Sequence, residues 1–214
     1  MEKKRGLLIT FEGIEGCGKS TAIIEAQHYL SERGRNALLT REPGGTWLGE
    51  SLRAIILDTP KDQDIDAVEE AFLFCASRAA HTRKIIGPAL AAGYDVVSDR
   101  YLDSTFVYQG VKGGLEDADL DLLNRIATRG IRPDITILLD LPAEMGLARK
   151  RGDGEMNRID RKNLAFHNMV RERFLELAAV EPDRIRIVDS SGARDATAAG
   201  IRSCLTILLE KRAN

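Results

Sequence analysis

Short continuous apolar runs alternate along this chain with longer stretches whose apolar positions recur every three or four residues. A run of five or six apolar residues reads as a strand covered on both faces, and the longer period reads as an amphipathic helix. Residues 7–11 form such a run, ending in Glu-Gly, and 36–40, 94–98, 134–139 and 184–188 read as four more short strands. Helical pattern falls over 19–33, 46–57, 65–92 with a kink near Pro88, 117–129, 143–150, 160–180 and 194–212. In 160–180 the side chains of Phe166, Val170, Phe174 and Leu177 share a face, and Ile201, Leu205 and Leu208 form the stripe of the last helix. Residues 151–158 (RGDGEMNR) are polar and broken by glycine. Strands alternating with helices predict an α/β fold: a five-stranded parallel sheet with helices on both faces. No repeat or linker divides the chain, so one domain over 1–214 is expected, with a small lid at about 149–158.

Composition narrows the partners. The 214 residues are 43% hydrophobic and 30% charged, with a net charge of −2, which excludes a nucleic-acid binder that works through a basic surface. Cys17, Cys75 and Cys204 are odd in number and form no CxxC, and the three histidines are scattered, so neither a disulfide framework nor a zinc site is expected. The charged first five residues precede an apolar run too short for a signal peptide or a membrane span, and a cytoplasmic setting is expected.

Between the first strand and first helix lies Gly13-Ile14-Glu15-Gly16-Cys17-Gly18-Lys19-Ser20, which satisfies G-x-x-x-x-G-K-[ST] in the strand-loop-helix context the motif requires. Its glycines let successive N–H groups point at phosphate, and the helix N-terminus adds partial positive charge. Lys19 is placed to reach the β- and γ-phosphates, Ser20 to ligate Mg²⁺, and Thr21 follows in the first helical turn. Cys17 inside the loop reads as a small filler or as a reactive thiol. The motif defines a binder of Mg²⁺·nucleoside triphosphate but not its reaction.

Three clusters bear on the reaction. Thr40-Arg41-Glu42-Pro43-Gly44-Gly45-Thr46 ends the second strand, where such sheets bind ligands; Arg41 there reads as a second phosphate ligand, or the segment as a plain turn. Phe74 and Arg78 stand i and i+4 on a helix, as a base-stacking ring with a nearby guanidinium or as a core ring beside a surface arginine. Asp99 closes the third strand, where a P-loop protein places its Mg²⁺ carboxylate, and Arg100, Ser104, Thr105, Tyr108 and Gln109 follow. If 101–110 is helical, Ser104 pairs with Tyr108 and Thr105 with Gln109 on shared faces.

The stretches FEGIEGCGKST (11–21), TREPGGT (40–46), LFCASRAAH (73–81), DRYLDSTFVYQG (99–110), RPDITILLDLP (132–142) and NRIDRKNLAFHNMV (157–170), in this order, resemble the bacterial thymidylate kinase family. The resemblance implies ATP-dependent phosphorylation of dTMP to dTDP with Mg²⁺, in a cytoplasmic homodimer that needs neither nucleic acid nor membrane. It implies that Gly13 to Thr21 hold the ATP phosphates, and that Glu15 meets the sugar 3′-hydroxyl and the metal's water shell. Arg41, Arg78 and Arg100 would surround the monophosphate, Phe74 would stack on thymine, and Arg53, Thr105 and Gln109 would contact the base. Tyr108 would pack against the sugar, and Asp99 would hold Mg²⁺ through water. Where some members carry arginine inside the P-loop, this chain has Gly16. The transferring phosphoryl group still needs a cation, and Arg149, Arg151 and Arg158 around the lid are the three candidates, the choice among them left open. Two other readings remain at this point. One is another small P-loop kinase, acting on a different monophosphate or on a nucleoside with Asp99 or Glu15 as base; the other is a GTP-binding switch, in which 157–160 (NRID) stands for the guanine-reading N-K-x-D.

Overall fold

A computed structural model of the chain describes residues 4–60, 62–152 and 157–213. Five strands form one sheet: β1 (Leu8–Glu12), β2 (Ala37–Arg41), β3 (Asp95–Asp99), β4 (Ile135–Asp140) and β5 (Ile185–Asp189). Their order is β2-β3-β1-β4-β5, and every pairing is parallel. The helices are α1 (Lys19–Ser31), α2 (Trp47–Leu57), α3 (Ala67–His81), α4 (Gly87–Ala91), α5 (Leu102–Lys112), α6 (Asp117–Thr128), α7 (Ala143–Gly152), α8 (Leu164–Val180) and α9 (Arg194–Ala213). The α/β class and the five-stranded parallel sheet expected from the pattern are what the structure has.

β1 is the central strand, and all five of its residues are buried. Its Ile9 and Phe11, with Leu7 just before it, join Ile137, Leu139, Tyr29, Val170 and Leu205 in the larger apolar core. Leu8, on the other face, joins Val96, Leu90 and Tyr101 in a smaller one. Next to that smaller core the face turns polar. Thr10 and Thr136 share a 2.8 Å hydroxyl contact, Thr136 donates to Asp103, and Arg184 donates two 2.8 Å bonds to the same carboxylate. Because all strands run the same way, the segments that leave β1, β2, β3, β4 and β5 gather at one sheet edge, which is where ligands bind in such sheets.

Two helical expectations are corrected. The stretch 65–92 is not one kinked helix: a π-helical turn, Thr82–Ile86, separates α3 from α4. Pro88 has no N–H, and its ring excludes the carbonyl four residues back, so the turn widens just before it, with Gly87 N–H donating to Thr82 O. The stretch 160–180 begins its helix at Leu164, because Asn163 caps it by accepting from Phe166 N–H. Residues 157–160 instead form a turn in which Asn157 Oδ1 accepts from the Ile159 and Asp160 N–H groups and Asp160 Oδ2 accepts from Asn157 N–H. Of the lid at 149–158, residues 153–156 lie outside the described residues; 149–152 are the end of α7 and 157–158 open that turn.

Candidate active site

Two cavities open at the carboxyl edge of the sheet and share a floor. One, of about 300 Å³, is lined by Glu15, Arg53, Phe74, Arg100, Thr105, Tyr108, Gln109, Asn157 and Asp160, among others. The other, of about 930 Å³, lies over Cys17, Gly18 and Thr21 and reaches Arg149, Ser190 and Arg194. Gly16, Lys19, Ser20, Asp99 and Lys150 line both.

The shared floor is built from backbone conformation. Gly13, Gly16 and Gly18 have φ of 137°, 73° and 93°, so the chain wraps back onto the N-terminus of α1. A Cβ at Gly16 would sit 2.0 Å from the Gly146 carbonyl oxygen, so glycine is the one residue that lets α7 lie against the loop. Lys19 Nζ arches over the loop and donates to the carbonyls of Gly13 and Ile14 at 3.1 Å each. Cys17 is buried in the core behind it, and burial pushes its thiol up, which makes it a packed filler and not a reactive thiolate.

The smaller cavity is built from side chains. Arg100 has φ 67°, unusual outside glycine, and this turn at the end of β3 sends its guanidinium beneath the P-loop. There it donates to Glu15 Oε1 (2.9 Å), the Tyr108 hydroxyl (3.1 Å) and Ser104 Oγ (3.0 Å). Tyr108 O–H in turn donates to Glu15 Oε1 at 2.8 Å, and its ring meets Phe174 edge-on. Burial alone would raise the Glu15 pKa, but His167, Arg100, Lys19 and Tyr108 outweigh it and bring the group to about 2. His167 Nδ1 lies 3.3 Å from Glu15 Oε2.

Behind this wall stands Glu12, the last residue of β1. Its Oε1 accepts from the Tyr101 and Ser104 N–H groups and its Oε2 from the Ser104 hydroxyl, so it holds the start of α5 to the sheet. Burial lifts its pKa to about 7, with Asp103 adding to the rise and Arg100, Ser104 and Tyr101 opposing it. On α2, Arg53 lines the cavity half-buried and donates to Pro43 O at 3.0 Å. Burial, then the neighbouring Arg41, lower its pKa, which is the mark of a cation that an incoming anion would stabilise.

The structure brings Glu15, Gly16, Lys19, Ser20, Arg53, Phe74, Asp99, Arg100, Thr105, Tyr108 and Gln109 together around the smaller cavity. It places five other arginines elsewhere. Arg41 is exposed and paired with Glu50 at 3.0 Å, outside both cavities. Arg78 is 1% exposed and stands behind the wall, donating to Glu42, Thr105, Asn124 and the Tyr101 carbonyl at 2.8–2.9 Å, so its donors are directed to the protein and not to a phosphate. Arg149 points to the donor side, donating to Ser190 O and Ser191 O. Arg151, two positions further round α7, is exposed and lines neither cavity. Arg158 turns away to donate to Ile56 O and Glu70 Oε2. The helical turn between Arg149 and Arg151 makes Lys150 the residue of that cluster that faces both cavities.

Sequence reasoning missed Glu12, Glu42, Glu70, His167 and Lys150. Glu12 carried a signal, since an acidic residue ending an otherwise apolar central strand needs buried partners.

A P-loop on a 2-3-1-4-5 parallel sheet, with an acceptor cavity opening onto Lys19 and Asp99, defines a nucleoside-monophosphate kinase of the P-loop class. The comparisons carry this further. The thymidylate kinase family model matches residues 11–201. A thymidylate kinase of Oleidesulfovibrio alaskensis is 47% identical over 206 residues, covering 93% of this chain and 97% of its own, and one of Nostoc punctiforme is 43% identical, covering 96% and 98%. The crystal structure of thymidylate kinase from Ehrlichia chaffeensis superposes with a TM-score of 0.74 at 33% identity, covering 94% of this chain and 99% of that one. The chain belongs to the thymidylate kinase family, whose enzymes phosphorylate dTMP to dTDP with ATP.

Proposed function

We propose that this chain transfers the γ-phosphoryl group of Mg²⁺·ATP to the 5′-phosphate of dTMP, with dTMP in the smaller cavity and ATP in the larger. The observation that carries this reading is the shared floor: Lys19, Ser20 and Asp99 belong to both cavities, so a donor and an acceptor phosphate bound in each would meet there. Phe74 stacks on the base, Arg53, Thr105 and Gln109 face its edge, and Tyr108 with Glu15 closes the sugar pocket. Glu15 stays ionised throughout the neutral range, as a carboxylate accepting a sugar hydroxyl requires.

A phosphate monoester has a second pKa of about 6, so the acceptor oxygen is already anionic and needs no protein base. Catalysis is positioning and charge neutralisation. Lys19 and Arg100 act from the floor, and Lys150 acts from α7 in the role the sequence reading divided among Arg149, Arg151 and Arg158. Ser20 and Asp99 are the residues that would hold Mg²⁺; Asp99 Oδ1 is buried with no hydrogen-bond partner among the described residues, which fits it for that task. Among the described residues no group of three or more carboxylate, histidine or cysteine side chains is arranged for a metal. When bound, the ion neutralises charge on the phosphates being transferred.

The same reading includes a cytoplasmic homodimer. No helix among the described residues is long and apolar enough to cross a membrane. Ile55 on α2, Phe72 on α3 and Ile126 on α6 are exposed on helices that pack in sequence, and a second copy is the occupant this apolar surface fits.

The test is ADP release from Mg²⁺·ATP with dTMP, dUMP, dCMP, UMP, AMP and GMP as acceptors. A strong preference for dTMP is expected. Turnover with another monophosphate and none with dTMP would void the base-pocket roles while leaving the floor intact.

A further inference from the structure

Glu70 lies in α3 at 1% exposure and is used by nothing in the mechanism above, yet it binds three side chains. Its Oε1 accepts from Gln109 Nε2 at 2.8 Å, and its Oε2 accepts from Lys112 Nζ and from an Arg158 guanidinium N–H, each at 2.5 Å. Gln109 is itself 1% exposed, and its other amide atom, Oε1, is buried without a partner among the described residues.

An ionised carboxylate has no proton to donate, so the Gln109 amide must turn its NH₂ toward Glu70. That leaves the carbonyl oxygen as the atom Gln109 offers to the cleft it lines. One helical turn earlier, Thr105 Oγ1 accepts from Arg78 at 2.8 Å, which leaves the hydroxyl proton to donate. The wall thus presents a donor at Thr105 beside an acceptor at Gln109. A 4-oxopyrimidine, with its carbonyl next to a ring N–H, complements this order; a 4-aminopyrimidine, with an amino group next to a bare ring nitrogen, opposes it.

We infer that Glu70 is a positioning residue for base selection: by fixing the Gln109 amide it sets the cleft to accept 4-oxopyrimidine monophosphates and to reject 4-amino ones. The inference rests on the proposed seating of the base on this wall. Glu70 also holds Arg158, in the turn over 157–160.

The test compares dTMP and dCMP kinetics in the wild type, Glu70→Gln, Glu70→Asp and Lys112→Met. In Glu70→Gln the new carbonyl faces the two cations and the new NH₂ faces Gln109, which flips and presents a donor to the cleft. The ratio of kcat/KM for dTMP to that for dCMP is expected to fall about 10- to 100-fold, carried by a higher KM for dTMP and not by kcat. Glu70→Asp keeps the charge that Lys112 and Arg158 need while withdrawing the oxygen from Gln109; it covers the case in which the glutamine variant does not fold, and its ratio is expected to fall as well. Lys112→Met removes a Glu70 partner outside the cleft and is expected to keep the wild-type ratio. Equal losses for both substrates in the two Glu70 variants, or a ratio lowered as far by Lys112→Met, would overturn the inference. A wild type that does not prefer dTMP over dCMP would overturn the base-pocket reading itself, and with it the inference.

Discussion

The donor side and the acceptor side of this cleft are built by different means. On the donor side, recognition is carried by backbone shape: three glycines with positive φ, the N-terminus of α1, and one lysine folded over the loop. On the acceptor side it is carried by buried side chains from segments far apart in sequence. Glu12 and Glu15 engage Arg100, Ser104 and Tyr108, Glu42 engages Arg78, and Glu70 engages Gln109. A backbone site suits a ligand part common to all nucleotides, the polyphosphate. A side-chain network suits the part that must be told from its relatives, because a misplaced donor or acceptor in a buried network is costly.

This difference implies that mutations on the two sides fail differently. The largest effect is expected from Lys19→Ala, which should lower kcat about 10³-fold at unchanged thermal stability, since the lysine's bonds within the protein are to loop carbonyls at the surface of the cleft. Steady-state kinetics with a parallel melt would check it. Arg78→Met, on the acceptor side, should act on the fold instead: it leaves the buried Glu42 carboxylate with His81 as its side-chain partner and no guanidinium, and should cost about 3–5 kcal/mol in urea unfolding. A stable Arg78→Met with lost dTMP binding would return Arg78 to the ligand and break the contrast.

Next in size is a pH effect at Glu12. Its folded pKa of about 7 lies above the ordinary 4.5, so the stability it contributes is full below about pH 4.5 and is lost as pH rises through 7. Relative to Glu12→Gln, the wild type should lose up to about 3 kcal/mol of unfolding free energy between pH 4.5 and pH 8. Glu15 does not mask this: its pKa is depressed to about 2, so its contribution is complete above pH 4.5 and is lost only as pH falls toward 2. Equal pH slopes for wild type and variant would contradict the assignment. The smallest effect separates two neighbours on α7. Lys150→Ala should lower kcat about 10-fold, while Arg151→Ala should change it by less than about 2-fold, as a surface change away from the phosphates.

The same contrast explains what was legible in the sequence. The strands were readable to within a residue or so because each is a short stretch rich in aliphatic residues between breaks, and the P-loop because its backbone demands glycine at fixed spacing. Helix ends were less readable: Asn163 and the reciprocal Asn157–Asp160 bonds set the start of α8, and capping of that kind is easily buried in a periodic stretch. On the acceptor wall, helical spacing singled out Phe74, Thr105, Tyr108 and Gln109 and family resemblance gave them roles, but neither supplied the acidic residues behind them. Glu12, Glu42 and Glu70 have no spacing rule, since each meets its partner across the sheet or between helices. For the same reason the Arg78 guanidinium, expected at the phosphate, turned out to be held by Glu42, Thr105, Asn124 and a carbonyl. In the run 149–151, a charge cluster gives no direction; the 100° between successive helical residues decided which side chain faces the floor.

The most direct test of the account is a crystal structure with adenosine and thymidine joined through their 5′-oxygens by an oligophosphate. The account predicts thymine against Phe74 with its edge on Thr105 and Gln109, adenosine in the cavity bounded by Arg149 and Ser190, and the phosphate chain crossing Lys19 and Asp99. Thymidine seated elsewhere, or a phosphate chain that does not cross that floor, would contradict it.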